Sequence, residues 1–178
     1  PVEVLGRFIE QELARIELGR NTEQVAEQAR EIVLDILIEA ARLRRLEGRQ
    51  LSIQELRALM EAHLPPKEER QRRLDGAVRR LITEQTLLRQ RDKAWRWRHA
   101  LWADYLAAIH FAEEGESGRE MVQSHLNDPA WLVLAEFYAG LTNAESLVQS
   151  LVNQAEVYDD VEALLRAAPE AGDDDVVS

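Results

Sequence analysis

Hydrophobic positions recur along this chain with the period of an amphipathic helix for most of its length. Val4, Leu5, Phe8, Ile9, Leu13 and Ile16 predict a helix over residues 2–18. Gly19, Arg20 and Asn21 break it, and Thr22 is the expected N-cap of a second helix reaching about Leu46. The centre of that helix, from Ile32 to Ile38, is apolar nearly all round, as in an element packed on several sides. Gly48 is the expected C′ residue. A short extended piece at Gln50 and Leu51 leads into Ser52-Ile-Gln-Glu55, the capping-box pattern, followed by a helix burying Ile53, Leu56, Leu59 and Met60. Pro65 and Pro66 separate it from a helix with the stripe Leu74, Ala77, Val78, Leu81 and Ile82. After Thr86 the period changes. Leu87-Leu88-Arg89 and Trp95-Arg-Trp-Arg98 flank the charged turn Arg91-Asp92-Lys93 and predict a two-stranded ribbon.

Helix, short strand, helix, helix and β-ribbon follow one another in the order of a winged helix, over residues 24–98. The helical period then returns with Leu101, Trp102, Tyr105, Leu106 and Ile109. A polar loop with Gly115 and Gly118 is expected next. Asp128-Pro129 starts another helix, lined by Trp131, Leu134, Ala135, Tyr138 and Leu141. Thr142-Asn-Ala-Glu145 is a second capping-box pattern, and a last helix would carry Val157, Val161, Leu164 and Leu165. The expected fold is mainly α, a winged-helix domain with a small β-ribbon flanked by an N-terminal helix and a C-terminal helical array. Its divisions are a helical linker segment at 1–23, the winged helix at 24–98, a HEAT-like helical segment at 99–168 and an acidic tail or linker at 169–178.

Composition removes several classes of function. The chain has 178 residues and no cysteine, which excludes disulfides, thiol nucleophiles and cysteine-based zinc sites. The apolar run from Ile32 to Ile38 contains Asp35 and is too short to span a bilayer, and no signal peptide opens the chain. No membrane association and a cytoplasmic location are therefore expected. The chain starts on Pro1 rather than Met, so a segment of a longer protein is expected. No Gly-x-x-x-x-Gly-Lys pattern occurs, and Gly115-Glu-Ser-Gly118 carries an acid where a phosphate would need a donor. His63, His99, His110 and His125 show no metal-binding spacing. His63 and His125 fall near helix ends, where a cation suits the dipole, and His110 reads as a surface or boundary residue. No catalytic residue and no metal site are expected. His99, at the junction of ribbon and helix, reads either as a backbone-capped boundary residue or as a donor presented to an anion held by a neighbour.

The net charge of −11 averages two unlike regions. Residues 66–98 hold eleven bases against five acids, a net +6, whereas the remainder holds eleven against 28, a net −17. Within that window Arg70, Arg72, Arg73, Arg79, Arg80, Arg91 and Lys93 are the candidate docking face. On a winged helix they would also be the DNA-contacting face.

Residues 95–108 read Trp-Arg-Trp-Arg-His-Ala-Leu-Trp-Ala-Asp-Tyr-Leu-Ala-Ala. This resembles the aromatic-x-His-x-x-aromatic-Gln-Glu-aromatic-x-Ala-Ala segment that closes the winged helix of NACHT-type signalling ATPases, members of the STAND class of nucleotide switches. Trp97, His99, Trp102, Tyr105 and Ala107-Ala108 take the matching positions, while Ala103-Asp104 stand in place of Gln-Glu. The segment 127–141 is similar to the helical repeat that often follows. The resemblance implies a non-catalytic regulatory module whose parent protein binds ADP or ATP with Mg. An upstream P-loop ATPase domain in the same chain, downstream repeats and oligomerisation on activation would be its partners. In the ADP-bound resting state the winged helix would pack on the ATPase domain with His99 against the phosphate. Exchange for ATP would release it. The alternative is a winged-helix DNA-binding transcriptional regulator, with nucleic acid as partner.

Overall fold

The computed structural model describes residues 2–16, 23–48, 50–65, 72–85, 87–144, 147 and 152–153. They form a mainly helical protein with a small antiparallel sheet. Thr22, Pro66, Lys67, Arg70, Glu145, the expected helix from Val157 and the tail from 169 lie outside the described residues.

The chain begins with α1 (Val2–Arg15), followed by α2 (Glu23–Glu47), the longest described helix. Gly48 leaves α2 at φ +66°, and its N–H donates to Arg44 O at 3.0 Å, so the C′ position takes the left-handed backbone that glycine adopts most cheaply. Strand β1 (Leu51–Ser52) leads directly into α3 (Ile53–His63). There the capping box is complete. Ser52 Oγ accepts from Glu55 N at 3.1 Å, and Glu55 Oε2 accepts from Ser52 N at 2.7 Å. Helix α4 (Arg72–Glu84) buries the expected stripe of Leu74, Ala77, Val78, Leu81 and Ile82.

Strands β2 (Leu88–Arg91) and β3 (Ala94–Trp97) form a hairpin. Asp92 and Lys93 at its tip have φ of +51° and +62°, as a two-residue turn matched to the strand twist requires. The ribbon is not two-stranded as expected. β1 pairs antiparallel with β3, Leu51 opposite Trp95, giving a three-stranded sheet in the order β1-β3-β2. Two residues suffice for this pairing because Leu51 brings a buried side chain onto the same face as Trp95. At the other end of the hairpin, buried Gln85 closes α4. Its Nε2 donates to Ile82 O, and its Oε1 accepts from both Leu87 N and Leu88 N.

Helix α5 (Ala100–Glu113) follows β3 and packs along α2 on one side and α7 (Leu132–Thr142) on the other. Between them lies α6 (Glu116–Ser124), where the sequence predicted a polar loop. The correction rests on Gly118. A Cβ there would lie 1.8 Å from Phe111 O, so only glycine lets α6 close against the end of α5. Asp128 caps a 3-10 turn (Pro129–Trp131) rather than α7 itself, its side chain accepting from Ala130 N. Thr142 ends α7 instead of opening the next helix. Its hydroxyl donates to Tyr138 O at 2.8 Å, and Asn143 stops the helix in the left-handed region at φ +52°. Helix α1 lies across α5 and α7 where Gly6 meets the Tyr105 hydroxyl and Gly140 meets Val2. Among the described residues no helix is long and apolar enough to cross a membrane.

Candidate functional site

His99 occupies the residue between β3 and α5 that would cap the helix, with extended backbone at φ −133° and ψ 137°. Its side chain makes no capping hydrogen bond, and the residue is exposed. The imidazole stands edge-on to Trp102, ring centroids 4.8 Å apart at 86°. Trp102 stacks in turn on Phe8 of α1, at 5.5 Å and 16°. The imidazole thus rests on one ring, Trp102, which Phe8 backs from α1, while its polar atoms carry no hydrogen bond to any described residue. A ring N–H held beside the free N–H groups of a helix N-terminus suits an anion arriving from outside. Apolar surface frames it: Phe8 is 39% exposed, Leu101 46%, and Val4, one turn before Phe8, 70%.

The candidate basic residues that the structure describes lie on α4 and on the hairpin, and Arg79 lines one cleft with Gln90 and Trp95 of the ribbon. Arg72 and Arg73 lie exposed at the start of α4. Arg79 is engaged on its own helix by Asp75 at 3.0 Å and reaches Glu61 of α3 at 3.9 Å. Asp75, through its hydrogen bond and then its charge, raises the Arg79 pKa further. Arg80 pairs with Glu84 at 2.8 Å. Arg91 is 3.5 Å from Asp92, and Lys93 projects at the hairpin tip. The candidates therefore occupy the start of α4, a neutralised α4 flank and the ribbon.

The ribbon sorts its own side chains by face. Leu88 pairs with Trp97 and Gln90 with Trp95, and both tryptophans pack on the core. The alternate positions, Arg89 opposite Arg96 and Arg91 opposite Ala94, point the other way. Arg89 and Arg96 belong to the basic window of residues 66–98 but not to the seven residues singled out from it. Their signal was the alternation of arginine with tryptophan and leucine through 88–97.

A second arrangement passed unnoticed in the sequence. Asp104, buried in α5, accepts from Arg45 and lies 3.3 Å from Arg44, both at the end of α2. Arg45 also donates to Ala130 O at 2.7 Å, and its guanidinium lies 5.5 Å over the Trp131 ring. His125 covers that indole at 4.1 Å, and its Nδ1 is 2.9 Å from Met121 O. His63 Nδ1 donates to Leu59 O, and His110 Nε2 is 3.1 Å from Glu114. His63 and His110 share a cleft of about 190 Å³ with Asp35, Glu39 and Glu113. Burial, and then the charge of Glu10, pushes the Tyr105 hydroxyl above its ordinary pKa. Among the described residues no group of three or more His, Asp or Glu is placed to hold a metal ion. No protein-family model, no curated protein and no solved structure matches this chain.

Proposed function

We propose that this chain is a non-catalytic regulatory module of a cytoplasmic NACHT-type nucleotide switch, with residues 24–98 as its winged helix and the helices from α5 onward as the start of a helical array. The observation that carries the reading is the presented imidazole of His99, exposed and without an internal hydrogen bond, set edge-on against Trp102, which Phe8 backs. Such a group fits a phosphate contact across a domain boundary, with the ADP held by an upstream P-loop ATPase domain. The exposed Val4, Phe8 and Leu101 supply apolar area for that docking. One charge-assisted hydrogen bond is worth about 1.5–3 kcal/mol, enough to bias a two-state element whose release permits oligomerisation. In the full-length parent, His99→Ala should speed ADP release by roughly 10- to 150-fold and raise basal activity. Nucleotide release that does not change in this variant refutes the sensor role.

A second reading, a winged-helix DNA-binding regulator, is favoured by the arginines on the outer ribbon face and by exposed Arg72 and Arg73. Against it, Arg79 and Arg80 are neutralised within α4, and Trp95 and Trp97 face the core rather than a groove. A salt titration of duplex binding separates the two, since several phosphate contacts give a steep loss of affinity with salt.

A further inference from the structure

Among the described residues β2 is an edge of the sheet, since the order β1-β3-β2 leaves it paired on one side only. The bond from Arg98 N to Leu87 O, at 3.0 Å, fixes the phase of its ladder with β3. Counting by twos from there, Arg89 exchanges both backbone bonds with Arg96, and Arg91 with Ala94. The N–H and C=O groups of Leu88 and Gln90 consequently turn away from β3, towards the open edge. Gln85 Oε1 takes the Leu88 N–H, which leaves the Leu88 C=O and both backbone groups of Gln90 presented there.

The two faces beside that edge differ in chemistry. On the inner face Gln90 and Trp95 line a cleft of about 300 Å³ together with Ile53 and Leu56 of α3 and Ile82 of α4. On the outer face Arg89 and Arg91 are exposed, with Arg96 beside them on β3. Among the described residues the ribbon's own carboxylate is Asp92, 3.5 Å from Arg91 and 3.7 Å from Arg96, and it is itself strongly exposed. A strand laid along β2 would therefore meet apolar surface with every second side chain and guanidinium groups with the others.

We propose that the β2 edge binds, by strand addition, an extended segment of a partner protein in which acidic and aliphatic residues alternate. Main-chain bonds to Gln90 and Leu88 supply the affinity, and the alternate side chains supply the selectivity. The residues opposite Arg89 and Arg91 are acidic, because opposite charges directly across a pair stabilise it and like charges oppose it. The same rule disfavours a second copy of this chain, whose arginines would meet Arg89 and Arg91 along the shared edge. The residue opposite Gln90 is aliphatic, its Cβ about 5 Å from that of Gln90 at the mouth of the cleft. The proposal rests on the sheet alone and is independent of the nucleotide-switch reading.

The probe is an end-blocked octapeptide of alternating glutamate and valine, titrated into the isotope-labelled full chain. At saturation, hydrogen exchange at the Gln90 amide should slow by roughly 10-fold or more. The same peptide N-methylated on its valines lacks the donors that face Gln90 and Leu88, and it should not bind. Gln90→Pro removes an N–H that β3 does not use, so the Trp95 and Trp97 amide signals should stay in place while affinity falls roughly 10-fold. Arg89→Glu/Arg91→Glu should lose the glutamate peptide and bind an alternating lysine–valine peptide instead, an exchange that no folding defect produces. Equal affinity for the N-methylated peptide overturns the proposal. So does equal affinity for a peptide with its glutamates and valines in separate blocks. Protection of Gln90 that grows with protein concentration, without peptide, assigns the edge to a second copy and overturns the proposal. Ribbon shifts caused by a short DNA duplex, with no protection of Gln90 by the peptide, assign the face to nucleic acid and overturn it equally.

Discussion

Asp104 of α5 and Arg45 of α2 meet across the central helix interface with side chains only 9% and 10% exposed. Arg44 adds a second cation at 3.3 Å, and Arg45 also donates from Nη1 to Ala130 O, while its buried Nε has no hydrogen-bond partner among the described residues. One carboxylate therefore ties α2, α5 and the turn before α7. Removing half of a buried pair leaves an uncompensated charge and costs about 3–5 kcal/mol. Asp104→Ala should lower Tm by roughly 10 °C, measured by thermal denaturation followed by circular dichroism. Replacing both charges, as Asp104→Leu/Arg45→Met, should recover most of the loss. A double variant as unstable as the single one would show that the pair itself, rather than the unpaired charge, dominates.

Stability should also carry a small acid-dependent component from Glu39. The Arg42 hydrogen bond at 2.7 Å is the main cause holding the Glu39 carboxyl below its ordinary value of 4.5; burial opposes it, and the charges of Arg42, His110 and His63 add to it. Because the folded pKa is depressed, this contribution is present above about pH 4.5 and is lost as pH falls through the folded value. The pair is a local, partly exposed one, so its weight is under about 1 kcal/mol. Urea titrations of the chain and of Glu39→Gln should therefore diverge at neutral pH and converge in acid. Parallel curves at every pH would remove Glu39 from the account.

Two helical glycines should respond to alanine with opposite signs. At Gly118 the added Cβ would strike Phe111 O at 1.8 Å, forcing α6 off α5 at a cost in the upper part of about 1–3 kcal/mol. At Gly76 a Cβ meets nothing within 4 Å, so alanine should stabilise α4 by about 0.5–1 kcal/mol. Equilibrium unfolding of the two single variants checks both. A neutral or stabilising Gly118→Ala would mean that the α5–α6 approach does not depend on glycine.

Gln85 is 3% exposed and satisfies three backbone groups where α4 gives way to the sheet. Gln85→Ala should cost about 1–3 kcal/mol by leaving those groups unpaired. Hydrogen exchange should accelerate at the Leu87 and Leu88 amides before it does so in α2. Uniform acceleration across the chain would instead indicate a general loss of stability.

Two four-residue patterns show what the sequence made legible and what it did not. Ser52-x-x-Glu55 and Thr142-x-x-Glu145 look alike as letters, yet Ser52 caps α3 while Thr142 is the last residue of α7, with Glu145 outside the described residues. Thr142 remains inside α7 because its hydroxyl bonds Tyr138 O and Asn143 then takes the left-handed stop. Such competition between a cap and an i−4 carbonyl is decided by where the preceding helix packs, which no local pattern records. Helix α6 was hidden for a related reason: Gly118 lowers local propensity, while the close approach it permits is tertiary. Gly48, the Ser52 box and the α4 stripe were readable because each is satisfied within a few residues. At the candidate site, the place of His99 at a strand-to-helix junction was readable, but its aromatic support from Phe8, ninety-one positions earlier, was not. The alternation of arginine through the ribbon was present in the letters. Only the register revealed Arg89 facing Arg96.

The indole of Trp102 serves two neighbours at once, Phe8 flat against it and His99 edge-on. Helix α1 and the imidazole are consequently geared together through a single shared ring. A shift of α1 along α5 would leave that indole without its backing and free the histidine to turn away. Conversely, a group held against His99 would bear on α1 only through that one indole, so the two ends of the stack would move together or part at Trp102.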